Sequence, residues 1–197
     1  MGKLIAIVGS SGVGKTTLLG ALNAQNDFAV GLEGHAERPF QSLFKRDPRY
    51  ALANQIDYLL HRAEQEKILR ADPRPALTDG GLDLDFYGFT RLFHTRGWLT
   101  DAEFDLCRRF HAWTRSLLPP PDLVVALSAS RQVIRQRLAS RNRINLASEA
   151  DAELLDSFVS EWLSTLSPES VLRLDVSDED IRYARGTALI RERLFGL

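Results

Sequence analysis

The stretch Gly9-Ser10-Ser11-Gly12-Val13-Gly14-Lys15-Thr16 satisfies the spacing G-x-x-x-x-G-K-[ST]. Glycines let successive backbone N–H groups turn toward one anion, and a helix that opens at this point adds the positive end of its dipole. Lys15 then meets the β- and γ-oxygens of ATP, Thr16 binds Mg2+, and Thr17 closes the nucleotide-binding segment. Two carboxylates stand at the ends of later strand-like runs, Glu33 after Phe28 to Leu32 and Asp79 after Ala76 to Thr78. Asp79 has the hydrophobic-then-acid pattern that holds or orients Mg2+ in phosphoryl transfer. If the phosphate acceptor is an alcohol, a carboxylate near the γ-phosphate takes its proton, and that task falls to Glu33.

These groups need strands and helices that deliver them to one edge of a sheet. Apolar runs at Leu4 to Val8, Phe28 to Glu33, Ala76 to Asp79, Leu123 to Leu127 and Val171 to Leu174 read as five short buried strands. Between them, helical spacing predicts helices over Thr16 to Ala24, Pro48 to about Ala71, Asp83 to Thr95, Asp101 to Leu117, Arg131 to Ser140 and Asp151 to Leu166, with a terminal helix after the last strand. The alternation implies an α/β fold with a five-stranded parallel sheet covered on both faces, in a single domain over residues 1–197. Ligands of such sheets collect at the carboxyl ends of the strands.

Composition narrows the possibilities. The chain has 197 residues, 44% hydrophobic, with 25 Lys+Arg against 26 Asp+Glu. A net charge of −1 provides no positive field for a nucleic-acid partner. No apolar run approaches the roughly 18 residues of a membrane span, Cys107 is alone, and the leading strand leaves no room for a signal peptide, so the expected location is cytoplasmic. The four histidines lack metal-ligand spacing, and Cys107, in helical register with Phe104 and Phe110, reads as a buried structural thiol. Trp98, Trp113 and Trp162 read as packing residues, whereas Phe40, Phe86 and Tyr87 could line a base pocket.

Over nearly its whole length the chain resembles the deoxynucleoside kinase family. Glu33-Gly34-His35-Ala36-Glu37-Arg38-Pro39-Phe40 looks like that family's Glu-Pro-Val-x-x-Asn-Pro-Phe segment, whose Glu is the catalytic base. Leu43 to Pro48 matches the approach to a long helix on which a Gln and an Arg seven residues apart read the base, here Gln55 and Arg62. Seven residues is close to two helical turns, so both side chains point the same way. Asp85, six residues after Asp79, falls where the family places a base-reading Asp. Thr100 to Phe104 and Leu118 to Leu123 resemble the connection into the fourth strand. Arg137-Leu138-Ala139-Ser140-Arg141-Asn142-Arg143 looks like the family's arginine-rich lid. Arginines brought in by a lid stabilise charge on the transferred phosphoryl group, and Arg137 and Arg141 stand one turn apart. The resemblance implies a three-layer P-loop kinase fold, ATP and Mg2+ as cofactors, a deoxynucleoside as the small-molecule substrate, and a homodimer formed through the helices after the third strand.

The pattern also breaks. The family follows its third strand with Asp-Arg-Ser or Glu-Arg-Ser, and this chain has Asp79-Gly80-Gly81. The absent Arg would engage the catalytic Glu and the reacting phosphate, so Arg38 or the lid arginines must replace it or catalysis is weakened. Lys45 stands where the family has a sugar-contacting Tyr, and Leu146 near the place of an acid. Three functions remain open at this level: a deoxynucleoside kinase, a monophosphate or other small-molecule kinase suited to Lys45 and the extra arginines, and an ATP-binding protein that has lost its chemistry.

Overall fold

A computed structural model of the chain describes residues 2–24, 28–31, 37–139 and 149–196. Five strands, β1 (Leu4–Val8), β2 (Ala29–Gly31), β3 (Ala76–Asp79), β4 (Leu123–Ser128) and β5 (Val171–Asp175), form one parallel sheet in the order β2-β3-β1-β4-β5. All five β1 residues are buried. That follows from its central place, with neighbours on both edges and helices on both faces. Alternate side chains leave a strand on opposite faces. Accordingly Ile5 and Ile7 pack with Leu18, Leu19 and Leu22 of α1 (Lys15–Asn23) and Ile190 of α9 (Ala184–Phe195). Ala6 and Val8 pack with Trp162 and Leu163 of α8 (Glu149–Thr165), and Leu4 with Leu69 of α3 (Ala51–Ala71). The result is the three-layer α/β architecture expected from the alternating pattern.

The remaining helices are α2 (Pro39–Phe44), the short α4 (Leu82–Leu84), α5 (Arg91–Thr95), α6 (Asp101–Leu117) and α7 (Arg131–Ala139). Helix α6 starts where expected because Thr100 and Glu103 close a reciprocal cap, the Glu103 carboxylate accepting from the Thr100 backbone at 2.8 Å. Three elements depart from the sequence reading. Helix α2 was not anticipated; Pro39 opens it, and the Gln41 amide oxygen accepts from the Arg38 backbone N–H. The expected helix over Asp83 to Thr95 is interrupted by a π-helical turn at Asp85–Thr90. The turn is held by one of its own side chains and one from α3, since the Asp85 carbonyl accepts from the Thr90 hydroxyl at 3.1 Å and from the Gln55 amide at 3.2 Å.

The third departure lies in α3. The apolar stripe Leu52, Ile56, Leu59, Leu60 and Ala63 suggests its inner face, and Leu59 is fully buried with Leu52 and Ile56 packed against the same core, yet Leu60 is 45% exposed and the helix also buries Asn54, Gln55, Arg62, Glu66 and Arg70. Burial of charged groups demands partners, and they are present. Glu66 accepts from Arg70 and Arg115 at 2.9 Å, Arg115 also pairs with Asp83 at 2.9 Å, Asp83 accepts from His111 at 2.8 Å, and Arg70 donates to the Pro119 carbonyl at 2.7 Å. Cys107 is fully buried, which pushes its thiol up to about 11. Trp162 is a packing residue, stacked on Tyr87, but Trp113 is 62% exposed and packs no core.

Candidate active site

The glycine-rich loop leaves the carboxyl end of β1 and turns into α1. Gly14 has φ +114°, a left-handed backbone, and a Cβ there would run into the Tyr183 hydroxyl, so only glycine is accommodated. Lys15 Nζ donates to the carbonyls of Gly9 at 2.9 Å and Ser10 at 3.1 Å, which holds the ammonium over the loop. Parallel pairing sets Ile7 beside Asp79, and the Gly80 N–H donates to the Ile7 carbonyl at 2.9 Å. This register brings the end of β3 to the loop, where the Thr16 hydroxyl donates to Asp79 Oδ2 at 2.8 Å.

Asp79 is 3% exposed, and its Oδ1 is buried without a partner among the described residues. An orphaned carboxylate oxygen beside a hydroxyl fits Mg2+, which takes one or two protein oxygens and completes its shell with water and phosphate. Thr16 and Asp79 would hold the ion, and the bound ion supplies charge neutralisation for phosphate oxygens. Arg137 of α7 reaches the same loop, donating to the Val13 carbonyl through Nη1 and to the Val176 carbonyl at 3.0 Å through Nη2. Arg141, Arg143 and Glu33 lie outside the described residues.

Apart from the phosphate loop, the described residues enclose a cavity of about 170 Å³. Its walls come from α2, α3, the π turn and α5, with Phe44, Phe89, Phe93 and Trp98 as the aromatic surfaces and Asn54, Gln55, Asp85 and Asp151 among the polar ones. The Arg62 guanidinium donates through Nε to Asp85 Oδ2 at 2.8 Å and through Nη1 to Gln65 at 3.3 Å. Both Arg62 and Asp85 are about nine-tenths buried or more.

Gln55 and Asp85 therefore line one cavity, as the family resemblance implied, but three expected substrate contacts are placed otherwise. Arg62 is not in the lining; its guanidinium stands behind Asp85 and fixes that carboxylate. Phe86 is 6% exposed and stacks on His111 at 4.3 Å, because the widened π turn rotates it into the core and leaves Phe89 at the cavity. Phe40 is 38% exposed and outside the lining, and Phe44, one turn later, takes the wall against Phe93 and Trp98. Tyr87 packs on Trp162. Arg38, one candidate to replace the absent arginine, forms a two-bond pair with Asp57 at 2.6 Å for each bond. That pairing holds the Asp57 carboxyl below the usual carboxylate range, the Arg38 hydrogen bond outweighing burial. Sequence reasoning missed Asn54, Phe44, Phe89 and Asp151 as cavity residues; they come from α3, α2, the π turn and α8, and only the packing of these four elements brings them together.

Fold and loop together define a P-loop kinase architecture. The family model for deoxynucleoside kinase matches residues 5–188. No curated protein matches the chain. Among solved structures, deoxyadenosine kinase from M. mycoides with bound dCTP superimposes with a TM-score of 0.78 at 20% identity, covering 98% of this chain and 100% of that one. The same enzyme with products dCMP and a flexible dCDP gives 0.80 at 21% identity with equal coverage. The chain belongs to the deoxynucleoside kinase family.

Proposed function

We propose that this protein transfers the γ-phosphoryl group of Mg·ATP to the 5′-hydroxyl of a deoxynucleoside. The observation that carries the reading is the two-ended site: a glycine-rich phosphate loop with Thr16 and Asp79 at its mouth, and an aromatic cavity with Gln55 and Asp85. A donor phosphate at one end and a flat heterocycle at the other leave the sugar hydroxyl between them, which is what positioning for phosphoryl transfer requires. Glu33 accepts the hydroxyl proton, Lys15 and the lid arginines Arg137, Arg141 and Arg143 neutralise phosphate charge, and the cavity binds the base. The described cavity lining contains the carboxylates Asp85 and Asp151 and neither Lys nor Arg, which favours an uncharged nucleoside over a monophosphate. Lys45, the cation that would suit a charged acceptor, is paired with Glu37 at the surface at 2.5 Å.

The protein works as a cytoplasmic homodimer on this reading. Leu60 and Ile68 of α3 and Leu106, Trp113 and Leu117 of the neighbouring α6 are exposed, and an apolar face of two adjacent helices suits a second copy. No helix among the described residues is long and apolar enough to cross a membrane.

The test is ADP release with Mg·ATP across the four deoxynucleosides and their monophosphates, with Glu33→Gln as control. Acceleration by a deoxynucleoside that falls at least a hundredfold in Glu33→Gln is expected, in line with general-base contributions of about 10²–10⁴. Acceleration by monophosphates alone, or by no acceptor, refutes the reading.

A further inference from the structure

Among the described residues, Tyr183 is the one residue other than glycine with a positive φ, +49° with ψ +43°, and it lies on the connection between β5 and α9. A side chain in this left-handed conformation is strained, and glycine would relieve the strain. The conformation is held from both sides, the Tyr183 N–H donating to the Asp180 carbonyl at 3.2 Å and the Tyr183 carbonyl accepting from the Thr187 N–H at 2.8 Å. Strain of this kind persists where the surroundings over-determine it, and it directs attention to what the side chain does.

That side chain runs from the core to the phosphate loop. Tyr183 is 2% exposed, its ring packed in the cluster that contains Val13 and Leu18, so it acts on its neighbours and not on a ligand. Its hydroxyl ends where a Cβ on Gly14 would stand, and Arg137 Nη1 lies 3.2 Å from the same point. Gly14 is the N-cap of α1, so the hydroxyl bears on the residue that aims the first N–H groups of that helix and leads into Lys15. The Arg137 guanidinium is 6.0 Å from the centroid of the Tyr183 ring, within cation–π reach. It is fixed at two further points, the Val13 carbonyl in the loop and, at 3.0 Å, the Val176 carbonyl at the exit of β5. Val176 is anchored in turn, its N–H donating to the Ser128 carbonyl of β4 at 2.8 Å. The phosphate loop, the arginine of α7 and the connection from β5 to α9 therefore converge on one tyrosine.

We propose that Tyr183 is a positioning residue for phosphoryl transfer: its ring and hydroxyl hold Gly14 and the Arg137 guanidinium at a fixed separation, so that loop and arginine meet the same donor phosphate. This rests on the kinase reading and adds to it, since Tyr183 belongs neither to the nucleotide-binding loop nor to the base cavity. Backbone N–H groups and a guanidinium stabilise a phosphoryl group only where they point at its oxygens, and a misplacement of about 1 Å costs on the order of a hundredfold in rate. A glycine-rich loop has few side chains of its own to resist such a shift, and the resistance comes from the tyrosine packed against it.

The test is a coupling cycle between Tyr183→Phe and Arg137→Gln on the full-length protein. Phenylalanine keeps the ring in the core and removes only the atom that meets Gly14. Dissociation constants for Mg·ATP without acceptor are measured by calorimetry, with thermal midpoints taken in the absence of nucleotide. Tyr183→Phe is expected to weaken Mg·ATP binding about fivefold or more in the parent background and less than about twofold in Arg137→Gln. In turnover, kcat falls in Tyr183→Phe while KM for the nucleoside is unchanged, a split that a general loss of stability does not produce. Unchanged Mg·ATP affinity in Tyr183→Phe overturns the proposal whatever happens to the midpoint, and so does an equal loss in both Arg137 backgrounds. If the unsubstituted protein binds Mg·ATP and no deoxynucleoside accelerates ADP release, the assigned reaction fails, and the affinity cycle still decides the role of Tyr183 because it needs no acceptor. Failure of the unsubstituted protein to bind Mg·ATP overturns both.

Discussion

At Gly80 the resemblance to the family and the backbone geometry of this chain pull in opposite directions. The residue has φ +79°, Gly81 follows at +112°, and a Cβ at Gly80 would lie 3.2 Å from Leu84 and 3.6 Å from Arg62 Nη2. Two positive-φ residues in succession turn the chain from β3 into α4, which carries Asp83 to His111 and Arg115 and is followed by Asp85 at Arg62. Restoring the family's arginine by Gly80→Arg therefore forces a side chain into a left-handed conformation, at about 1–2 kcal/mol per residue. The expected outcome is a lower urea midpoint with an unchanged denaturant slope, and no gain in turnover. The same site explains what could be read in advance. The phosphate loop and Asp79 were legible because their chemistry is local and periodicity placed both at strand ends. Gly80 was legible only as a missing residue, since a sequence gives no φ.

Element by element, legibility follows how each segment satisfies its buried groups. Strands β1, β3 and nearly all of β4 are buried on both faces, so their apolar runs marked them, while the edge strand β5 buries Leu174 and exposes Arg173 and Asp175. Helix α3 buries charge beside its apolar stripe: Leu59 is internal as its period implies, but Leu60 is exposed and Glu66 buried, which apolar periodicity does not show. The π turn was invisible for a related reason, its widened geometry depending on Gln55, a residue of another helix. The buried network that pins α3 to α6 gives a sharp expectation. Burial would push the Asp83 carboxyl up, but the His111 hydrogen bond and the Arg115 charge together hold it below the ordinary value of 3.8. Since the unfolded chain binds the proton more readily there, stability falls with falling pH. The contribution is fully present near neutrality and is lost as pH drops from about 5 down through the folded value. Asp83→Asn leaves Arg115 short of a buried partner and should cost about 3–5 kcal/mol at pH 7. Thermal midpoints between pH 7 and pH 3 should show the gap between Asp83→Asn and the unsubstituted protein narrowing in acid; a constant gap would mean that the network contributes by packing alone.

For the molecule as a whole, the phosphate loop leaves the carboxyl end of β1 and the aromatic cavity is walled mainly by α2, α3, the π turn and α5, while exposed apolar residues of α3 and α6 lie outside both. Leu60, Ile68, Leu106, Trp113 and Leu117 take no part in the cavity lining, which lets assembly be separated from chemistry. Trp113 is the largest of these side chains and is 62% exposed on a helix whose buried residues are Cys107, His111 and Thr114. If the proposed homodimer forms through α3 and α6, an exposed aromatic side chain with no role in its own core would act as an interface anchor, and truncating such an anchor costs at least about 2 kcal/mol of association. Trp113→Glu adds the burial of a charge to that loss. The substitution should raise the dimer dissociation constant about thirtyfold or more in sedimentation velocity, with the folded protomer's thermal midpoint changed little when measured well below that concentration. Because α3 carries Asn54 and Gln55 at one end and the apolar face along its outer side, a dimer would also stiffen the base cavity's wall. A monomeric Trp113→Glu should therefore keep its turnover number near that of the parent while its KM for the nucleoside rises; a fall in turnover with unchanged KM would place the effect of the dimer on the phosphate end instead.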